Sequence, residues 1–165
     1  GHGWAAQRFG TAFEIGGFVL IGIGSLGRIW CGIYIAGRKN KVLCQDGPYS
    51  ICRNPLYAFS FIGTIGVILG AQLPWAALVA IPLFLFYYRL VIRDEERTLL
   101  KLFGSEYGDY CSRVHRLWPR LSVYWTRDEL TIQPRKVVSA IIDASWFLWM
   151  IILLESREHI AALFL

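Results

Sequence analysis

The sequence predicts an all-α integral membrane protein with about four transmembrane helices and a cytoplasmic cap of helices and loops. Of its 165 residues, 55% are hydrophobic and only 18% are charged, which is far from the average of a soluble domain. The apolar residues fall into four long runs, and most of the basic residues lie in two of the connections between these runs. The whole chain, 1–165, is predicted to form one membrane domain.

Four apolar segments approach the roughly 20 residues that a membrane-spanning helix requires. They are residues 12–36, 56–70, 73–92 and 137–154. The second segment is short, so both of its ends are expected to lie near the membrane interface. Because the sequence does not begin with Met, a fifth span upstream is left open.

The distribution of Lys and Arg predicts the orientation in the membrane. Four basic residues lie between the first and second spans, and ten lie between Arg89 and Lys136. Because basic residues concentrate in cytoplasmic loops, residues 37–55 and 93–136 are predicted to be cytoplasmic. The connection from Gly70 to Trp75 is then a tight outer turn. Orientation and anionic lipid headgroups explain the net charge of +5, so no nucleic-acid partner is predicted.

The four cysteines show no spacing that is typical of a metal site. They are Cys31, Cys44, Cys52 and Cys111. Three of them lie in or beside the predicted cytoplasmic regions, where thiols stay reduced. Neither a disulfide nor a metal ion is predicted.

The first span contains the pattern GxGxxG, formed by Gly22, Gly24 and Gly27. This pattern indicates a dinucleotide site only when it joins a strand to a helix, whereas here it interrupts one apolar run. Small residues in membrane spans allow helices to approach closely, and Gly66 and Gly70 in the second span have the same property. We therefore favour helix packing over a nucleotide loop.

Two ionisable residues, Arg28 and Asp143, lie inside the first and fourth spans. At about 1.5 Å per residue, both lie roughly 10 to 12 Å from the cytoplasmic ends of their helices. Equal depth predicts a salt bridge between them, because charged groups inside a membrane are usually paired or functional. The alternative is that Arg28 extends to the interface and Asp143 lines a wet cavity.

The two cytoplasmic regions are predicted to meet at the membrane surface. A tight turn forces the second and third spans to pack antiparallel, which brings Arg53 and Tyr57 beside Glu95 and Glu96. Tyr49, Tyr87 and Tyr88 are expected nearby. Pro48 and Pro55 restrict the loop, and Pro55 suits the first turn of a helix. The alternative is that these charges are ordinary helix-end residues.

A short apolar helix is expected to follow the third span. Its apolar face would consist of Leu99, Leu100, Leu102 and Phe103, and Gly104 would end it. His115 lacks the partners of a hydrolase triad, so hydrolytic chemistry is not predicted.

The segments GPYSICRNPLY and EERTLLKLFGSEYGDYCSRVHRLWP, separated by an apolar hairpin, resemble the isoprenylcysteine carboxyl methyltransferase family and the related phospholipid methyltransferases. The resemblance covers roughly residues 41–120. Its matching positions are Gly47, Tyr49, Arg53, Asn54, Pro55, Tyr57, Glu95, Glu96, Phe103, Gly104, Tyr107, Tyr110 and Pro119. The family pattern has His at the position of Asn54 and Gly at the position of Phe59. The second change puts the shape of an acceptor pocket in question.

The resemblance implies an integral membrane enzyme that uses S-adenosylmethionine without a Rossmann domain. The implied cofactor-binding residues are Gly47, Pro48, Tyr49, Arg53, Asn54, Pro55, Tyr57, Glu96 and Tyr107. The implied partners are a lipophilic or lipidated acceptor that arrives from the bilayer, and membrane lipid. The oligomeric state is left open.

Arg53, Glu96 and Glu95 are the predicted catalytic residues. A carboxylate acceptor needs no base but needs a cation to orient it, for which Arg53 is the candidate, with Glu96 and Glu95 orienting Arg53 or facing the cationic cofactor. The product would be a methyl ester of an isoprenylcysteine-like acid. An amine acceptor would instead need Glu95 or Glu96 as a base. Phospholipid, other amine or thiol methylation and a noncatalytic lipid-binding scaffold are the alternatives.

Overall fold

A computed structural model describes residues 3–163 of the chain. Within this range the chain forms five α-helices and one 3₁₀ turn, with no β-strand, so the all-α prediction is confirmed. The elements are α1 Gly3–Ile35, α2 Pro48–Ile51, α3 Pro55–Gly70, α4 Pro74–Arg113, the 3₁₀ turn Leu121–Val123 and α5 Pro134–Leu163.

Three helices are long and apolar enough to cross a membrane. These segments are Gly10–Ile35 in α1, Trp75–Arg113 in α4 and Pro134–Leu153 in α5. The fourth, α3, has 16 residues and is therefore only about 24 Å long. The predicted count of four spans is thus approximate, with three full-length spans and one short helix. Residues 71–73 join α3 to α4 directly, as the predicted tight turn requires.

Helix α4 extends well past residue 92, where the apolar run ends. Its 40 residues correspond to about 60 Å, twice the roughly 30 Å of a bilayer core. The charged run that follows Ile92 ends the apolar segment but not the helix, because Glu and Arg are good helix formers. Glu95 and Glu96 therefore lie on a continuation of the same helix, beyond the part that a bilayer core can cover, and Tyr107 lies on the helical segment that follows Gly104.

Gly104 interrupts α4 with a non-helical backbone conformation, φ 52° and ψ −123°. The left-handed φ explains the glycine, and helical structure resumes after it. The predicted apolar face is only half correct. Leu99 and Phe103 pack against buried Tyr107 and Tyr110. Leu100 and Leu102, however, are more than half exposed.

Glycines bring α1 and α3 into close contact. A Cβ atom on Gly17 would lie 2.4 Å from the backbone nitrogen of Gly70, and one on Gly24 would lie 2.8 Å from the Cα of Gly63. The GxGxxG pattern is therefore part of a helix interface, as we predicted, and not a nucleotide loop. Gly22 contributes no close contact, because a Cβ there would meet nothing within 4 Å.

Phe59 fills a space that a glycine in α1 provides. A Cβ atom on Gly27 would lie 2.1 Å from the Phe59 ring, and the same ring packs edge-on against Trp30 at 6.3 Å between centroids. The family pattern has Gly at this position. The bulky Phe59 side chain is accommodated here because it packs against α1. It does not line either of the cavities described below.

The predicted salt bridge between Arg28 and Asp143 is present and links α1 to α5. Arg28 also donates a hydrogen bond to the Ser60 hydroxyl of α3. The Arg28 side chain is only 14% exposed, whereas that of Asp143 is 70% exposed. One guanidinium therefore connects three helices and neutralises a carboxylate that faces outward within the span.

We expect Arg28→Asp and Asp143→Arg each to destabilise the chain, because each leaves two like charges together at membrane depth. The double substitution should recover roughly 0.5–3 kcal/mol of the lost stability, the range typical of directly coupled side chains. Unfolding midpoints in detergent for the two single variants and the double variant test this. Strictly additive losses would contradict an energetically important pair.

Candidate functional site

A small cavity lies where three parts of the chain meet. They are the end of α1, the segment 39–57 and the half of α4 that extends past residue 92. Its volume is about 120 Å³. We call it the polar cavity after its charged and hydroxyl-bearing residues, although apolar surface makes up the larger part of its lining. Six of the predicted site residues line it: Tyr49, Arg53, Asn54, Tyr57, Glu95 and Tyr107. The antiparallel packing of α3 against α4 brings these residues together from distant parts of the sequence, as we expected from the tight turn.

Arg53 supplies a buried cation with unused hydrogen-bonding capacity. Its side chain is 14% exposed, and its Nη2 lies 3.6 Å from Oε1 of Glu96. Its Nε is buried without a hydrogen-bond partner in the described part of the chain. Because the Arg53 guanidinium lines the cavity, it is suited to bind an anionic ligand there, whereas Nε itself is enclosed by protein.

Glu96 lies behind Arg53 and does not line the cavity. It accepts a hydrogen bond from Nε of Arg116 at 3.1 Å and a second bond from Nη2 of the same residue. Its carboxylate therefore lies between two guanidinium groups. In this position Glu96 orients Arg53. Its two arginine partners occupy the carboxylate oxygens that a free base would use to accept a proton.

Glu95 is the carboxylate that faces the polar cavity. The Tyr57 hydroxyl donates a 2.7 Å hydrogen bond to its Oε2, and the Lys39 ammonium lies 3.3 Å from its Oε1. Its side chain is 26% exposed. The two adjacent glutamates thus differ in position, since one faces the cavity and the other supports its arginine.

The loop that carries Arg53 is fixed by backbone hydrogen bonds to the segment after α4. The Arg53 N–H donates to the His115 carbonyl at 2.9 Å, and the Asn54 N–H donates to the Arg116 carbonyl at 3.1 Å. The Asn54 side-chain amide donates to the same carbonyl at 3.1 Å. Asn54 therefore has a structural role here, which a His side chain could also fill with a ring N–H.

Three predicted cofactor-binding residues shape the loop without lining the cavity: Gly47, Pro48 and Pro55. Pro48 and Pro55 are fully buried and begin α2 and α3, where their missing N–H costs no hydrogen bond. Gly47 has φ 59°, and a Cβ there would lie 2.3 Å from the Tyr34 ring. These residues position the loop, and their predicted contact with a cofactor stays a prediction.

Burial keeps the two thiols and the Tyr49 phenol of this loop uncharged. Desolvation raises the pKa of the Cys52 thiol to about 11, and it also raises the pKa of Cys44. The pKa of Tyr49 is raised well above its usual value, first by desolvation and then by the neighbouring thiols of Cys31 and Cys44. All four cysteines are free. At neutral pH the two loop thiols are protonated and serve as packing groups.

Asp46 anchors the loop at its other end, and sequence reasoning missed this role. Its fully buried carboxylate lies 3.2 Å from Nη1 of Arg38 and 2.9 Å from Nε of Arg127. The Gly47 N–H also donates to the Trp125 carbonyl at 2.9 Å. The Asp46 carboxylate thus joins three segments of the chain. They are the turn after α1, the loop before α2 and the segment between the 3₁₀ turn and α5.

Several residues outside the predicted site also line the polar cavity. They include Lys39, Leu43, Leu99 and Tyr110. Tyr110 donates a 2.7 Å hydrogen bond to the Tyr49 carbonyl and thereby joins α4 to the loop. The spacing of Tyr107 and Tyr110 was the one available signal for this contact.

An apolar groove adjoins the polar cavity between α3 and α4. Its volume is about 520 Å³, and Leu117, Trp118 and Pro119 close one end. The Tyr88 ring packs against Tyr57 at 4.9 Å and stacks on Phe84 at 4.0 Å between centroids. Tyr57 lines both the groove and the polar cavity, so one side chain separates an apolar site from a polar one.

The chain resembles two curated proteins along most of its length. It is 37% identical over 144 residues to the cobalt-zinc-cadmium resistance protein CzcN of Cupriavidus metallidurans, covering 86% of this chain and 65% of that protein. It is 35% identical over 162 residues to the nickel-cobalt-cadmium resistance protein NccN of Alcaligenes xylosoxydans xylosoxydans, covering 96% of this chain and 74% of that protein. In the part of this chain that the structure describes, no three His, Cys, Asp or Glu side chains are grouped to hold a metal ion.

No solved structure matches the chain significantly. Residues 14–106 match the phospholipid methyltransferase family, and this match includes α3, the loop before it and the part of α4 that carries Glu95 and Glu96. The matched region is more than half of the 165 residues. The resemblance seen in the sequence is thereby confirmed, and this integral membrane chain belongs to the phospholipid methyltransferase family.

Proposed function

We propose that the chain is an S-adenosylmethionine-dependent methyltransferase that methylates a lipophilic acceptor at the cytoplasmic face of the membrane. The observation that carries this proposal is the shared wall at Tyr57, where the polar cavity meets the apolar groove. A methyltransferase for lipids needs a polar site for its cofactor next to an apolar site for its acceptor. The concentration of Lys and Arg at the same end of the helices supports the cytoplasmic orientation.

The residues of the polar cavity could hold part of S-adenosylmethionine, which carries a carboxylate, an ammonium group and a sulfonium. At about 120 Å³ the cavity is smaller than the roughly 300–1,000 Å³ of typical cofactor pockets, so binding of the whole cofactor requires the cavity to widen. Glu95 suits a cationic group, and the rings of Tyr49 and Tyr107 can face a cation with a favourable energy of roughly 0.5–2 kcal/mol. When bound, this cofactor supplies an electrophilic methyl group.

The chain's own residues would act mainly by alignment and exclusion of water. The backbone hydrogen bonds of Arg53 and Asn54 hold the loop rigid, and Tyr110 fastens it to α4. Such fixed positioning contributes strongly to a displacement reaction, in which the nucleophile must lie in line with the leaving group. The apolar walls of the groove would keep water away from the acceptor's reacting group.

A carboxylate is the acceptor that we place first, with a methyl ester as the product. A carboxylate needs no base but needs a cation to orient it, and the guanidinium of Arg53, whose side chain is 14% exposed, lines the cavity. An amine acceptor, as in a phospholipid, is the alternative, and the base would then be Glu95, because Glu96 is already held by two arginines. A thiol acceptor is the third possibility within this function.

Calorimetric titration with S-adenosylhomocysteine tests the cofactor. We expect micromolar binding by the detergent-solubilised chain and about tenfold weaker binding by Glu95→Gln, which loses one charge-assisted contact. Asp94→Asn is the matched control, since Asp94 is an exposed carboxylate on the same helix, one residue away. Wild-type affinity in Glu95→Gln would remove Glu95 from the cofactor site. Absence of binding by the folded chain would favour a noncatalytic lipid-binding scaffold.

The stability of the product in base distinguishes the acceptors. After reaction with a radiolabelled methyl donor and membrane lipid extracts, a methyl ester releases labelled methanol in alkali. An N-methyl or S-methyl product retains the label under the same treatment. Release of the label would support the carboxylate acceptor, and its retention would transfer the proposal to the amine or thiol alternative.

A further inference from the structure

A third, basic cavity lies between α1 and α5. We call it the basic groove and define it by Lys39, Lys41, Gln133, Lys136 and Ser139. Its volume is about 600 Å³ and it is open to the outside. The last residues of α1 and the first turns of α5 form its walls.

The groove is closed on one side by direct contact of the two helices. A Cβ atom on Gly32 would lie 2.5 Å from the Cβ of Ala140, so α1 and α5 touch at this point. Both residues line the groove. The groove is therefore a pocket at the ends of two membrane-spanning helices, at the level where lipid headgroups lie, and is not a channel between the helices.

The positive charge of the groove has little compensation from the protein. Lys39 pairs with Glu95, but the side chains of Lys41 and Lys136 make no ion pair or hydrogen bond with any residue that the structure describes. The single acid of the groove, Asp143, is paired with Arg28. Two exposed ammonium groups thus share one pocket without an anion.

We propose that the basic groove binds the phosphate headgroup of an anionic membrane phospholipid. Lys41 and Lys136 would hold the phosphate, and the Ser139 hydroxyl and the Gln133 amide can donate hydrogen bonds to its oxygens. Basic pockets between membrane helices attract anionic headgroups in this way. This lipid site shares Lys39 with the wall of the polar cavity but shares no lining residue with the proposed acceptor groove, and its existence does not depend on methyl transfer.

Native mass spectrometry of the whole detergent-solubilised chain tests this site. We titrate phosphatidylglycerol and phosphatidylcholine that have the same acyl chains. We expect one phosphatidylglycerol to bind with clear preference. The double variant Lys41→Gln, Lys136→Gln should weaken that binding about 25-fold, since each lysine near an anionic headgroup contributes about fivefold. Lys41→Arg with Lys136→Arg keeps both charges and should retain the preference.

The matched control is Lys101→Gln with Arg93→Gln, two exposed cations on α4 outside the groove. This control should bind phosphatidylglycerol like the wild type, and an equal loss in it would overturn the proposal. Equal binding of the two lipids by the wild type would also overturn it. Glycerol 3-phosphate is the competitor that separates a lipid site from a site for a free phosphate, and complete competition at micromolar concentration would refute the lipid assignment.

Discussion

Replacing Arg53 with alanine is expected to lower the rate of methyl transfer about 100- to 1,000-fold, the cost that is typical of removing one preorganised charge-stabilising donor. Arg53 is the buried cation of the polar cavity, and its Nε has no partner in the described chain. The fold should survive, because Glu96 keeps its two hydrogen bonds to Arg116 and is not left as an unpaired buried charge.

Three measurements separate a catalytic role of Arg53 from a structural one. Turnover is compared with the unfolding midpoint and with the affinity for S-adenosylhomocysteine in wild type, Arg53→Ala and Arg53→Lys. The lysine variant keeps the charge but loses the planar, bidentate geometry, so it should recover only part of the rate. Arg93→Ala, at an exposed arginine of α4, is the control. An unchanged rate in Arg53→Ala, or a loss of rate that follows only from unfolding, would contradict the assignment.

The centre of the candidate site and the Arg28–Asp143 pair could both be predicted, because one simple constraint determines each of them. A tight turn between two apolar runs requires an antiparallel hairpin, which brings Arg53 to Glu96 and Tyr57 to Glu95. Equal depth in the membrane predicted the pairing of Arg28 with Asp143. In both cases the position along a helix was enough, because a membrane limits how neighbouring helices can be placed.

The remaining contacts of the site depend on the path of the irregular segment after α4. The backbone bonds from His115 and Arg116 to the loop, and the pairing of Arg127 with Asp46, join residues that no periodic pattern relates. Lys39 served in the sequence only to predict the orientation in the membrane, although its side chain forms an ion pair with Glu95. The sequence predicted a separate short helix after the third span, whereas α4 continues past residue 92 to Gly104 without a break, because hydropathy reports where an apolar run ends and not where a helix ends.

The largest effect on stability is expected for Gly17→Leu. A Cβ at Gly17 would lie 2.4 to 2.7 Å from backbone atoms of Gly70 and Gly66, and backbone cannot move aside as a flexible side chain can. In a membrane, helix association depends on close packing, since lipid is as apolar as the helix surface. We expect a loss of at least about 1–3 kcal/mol, the usual cost of overpacking, measured as the shift in the unfolding midpoint in detergent.

The neighbouring Gly16 provides a matched control on the same turn of α1, because a Cβ there would meet nothing within 4 Å. Gly16→Leu adds the same side chain at nearly the same depth, so it controls for altered hydrophobicity and helix propensity. It should change stability by no more than about 0.5 kcal/mol. Equal losses in the two variants would mean that the glycines of α1 matter for insertion or helix formation and not for its contact with α3. A loss confined to Gly17→Leu would identify the α1–α3 contact as the interaction that holds the short helix α3, and with it the Arg53 loop, in place.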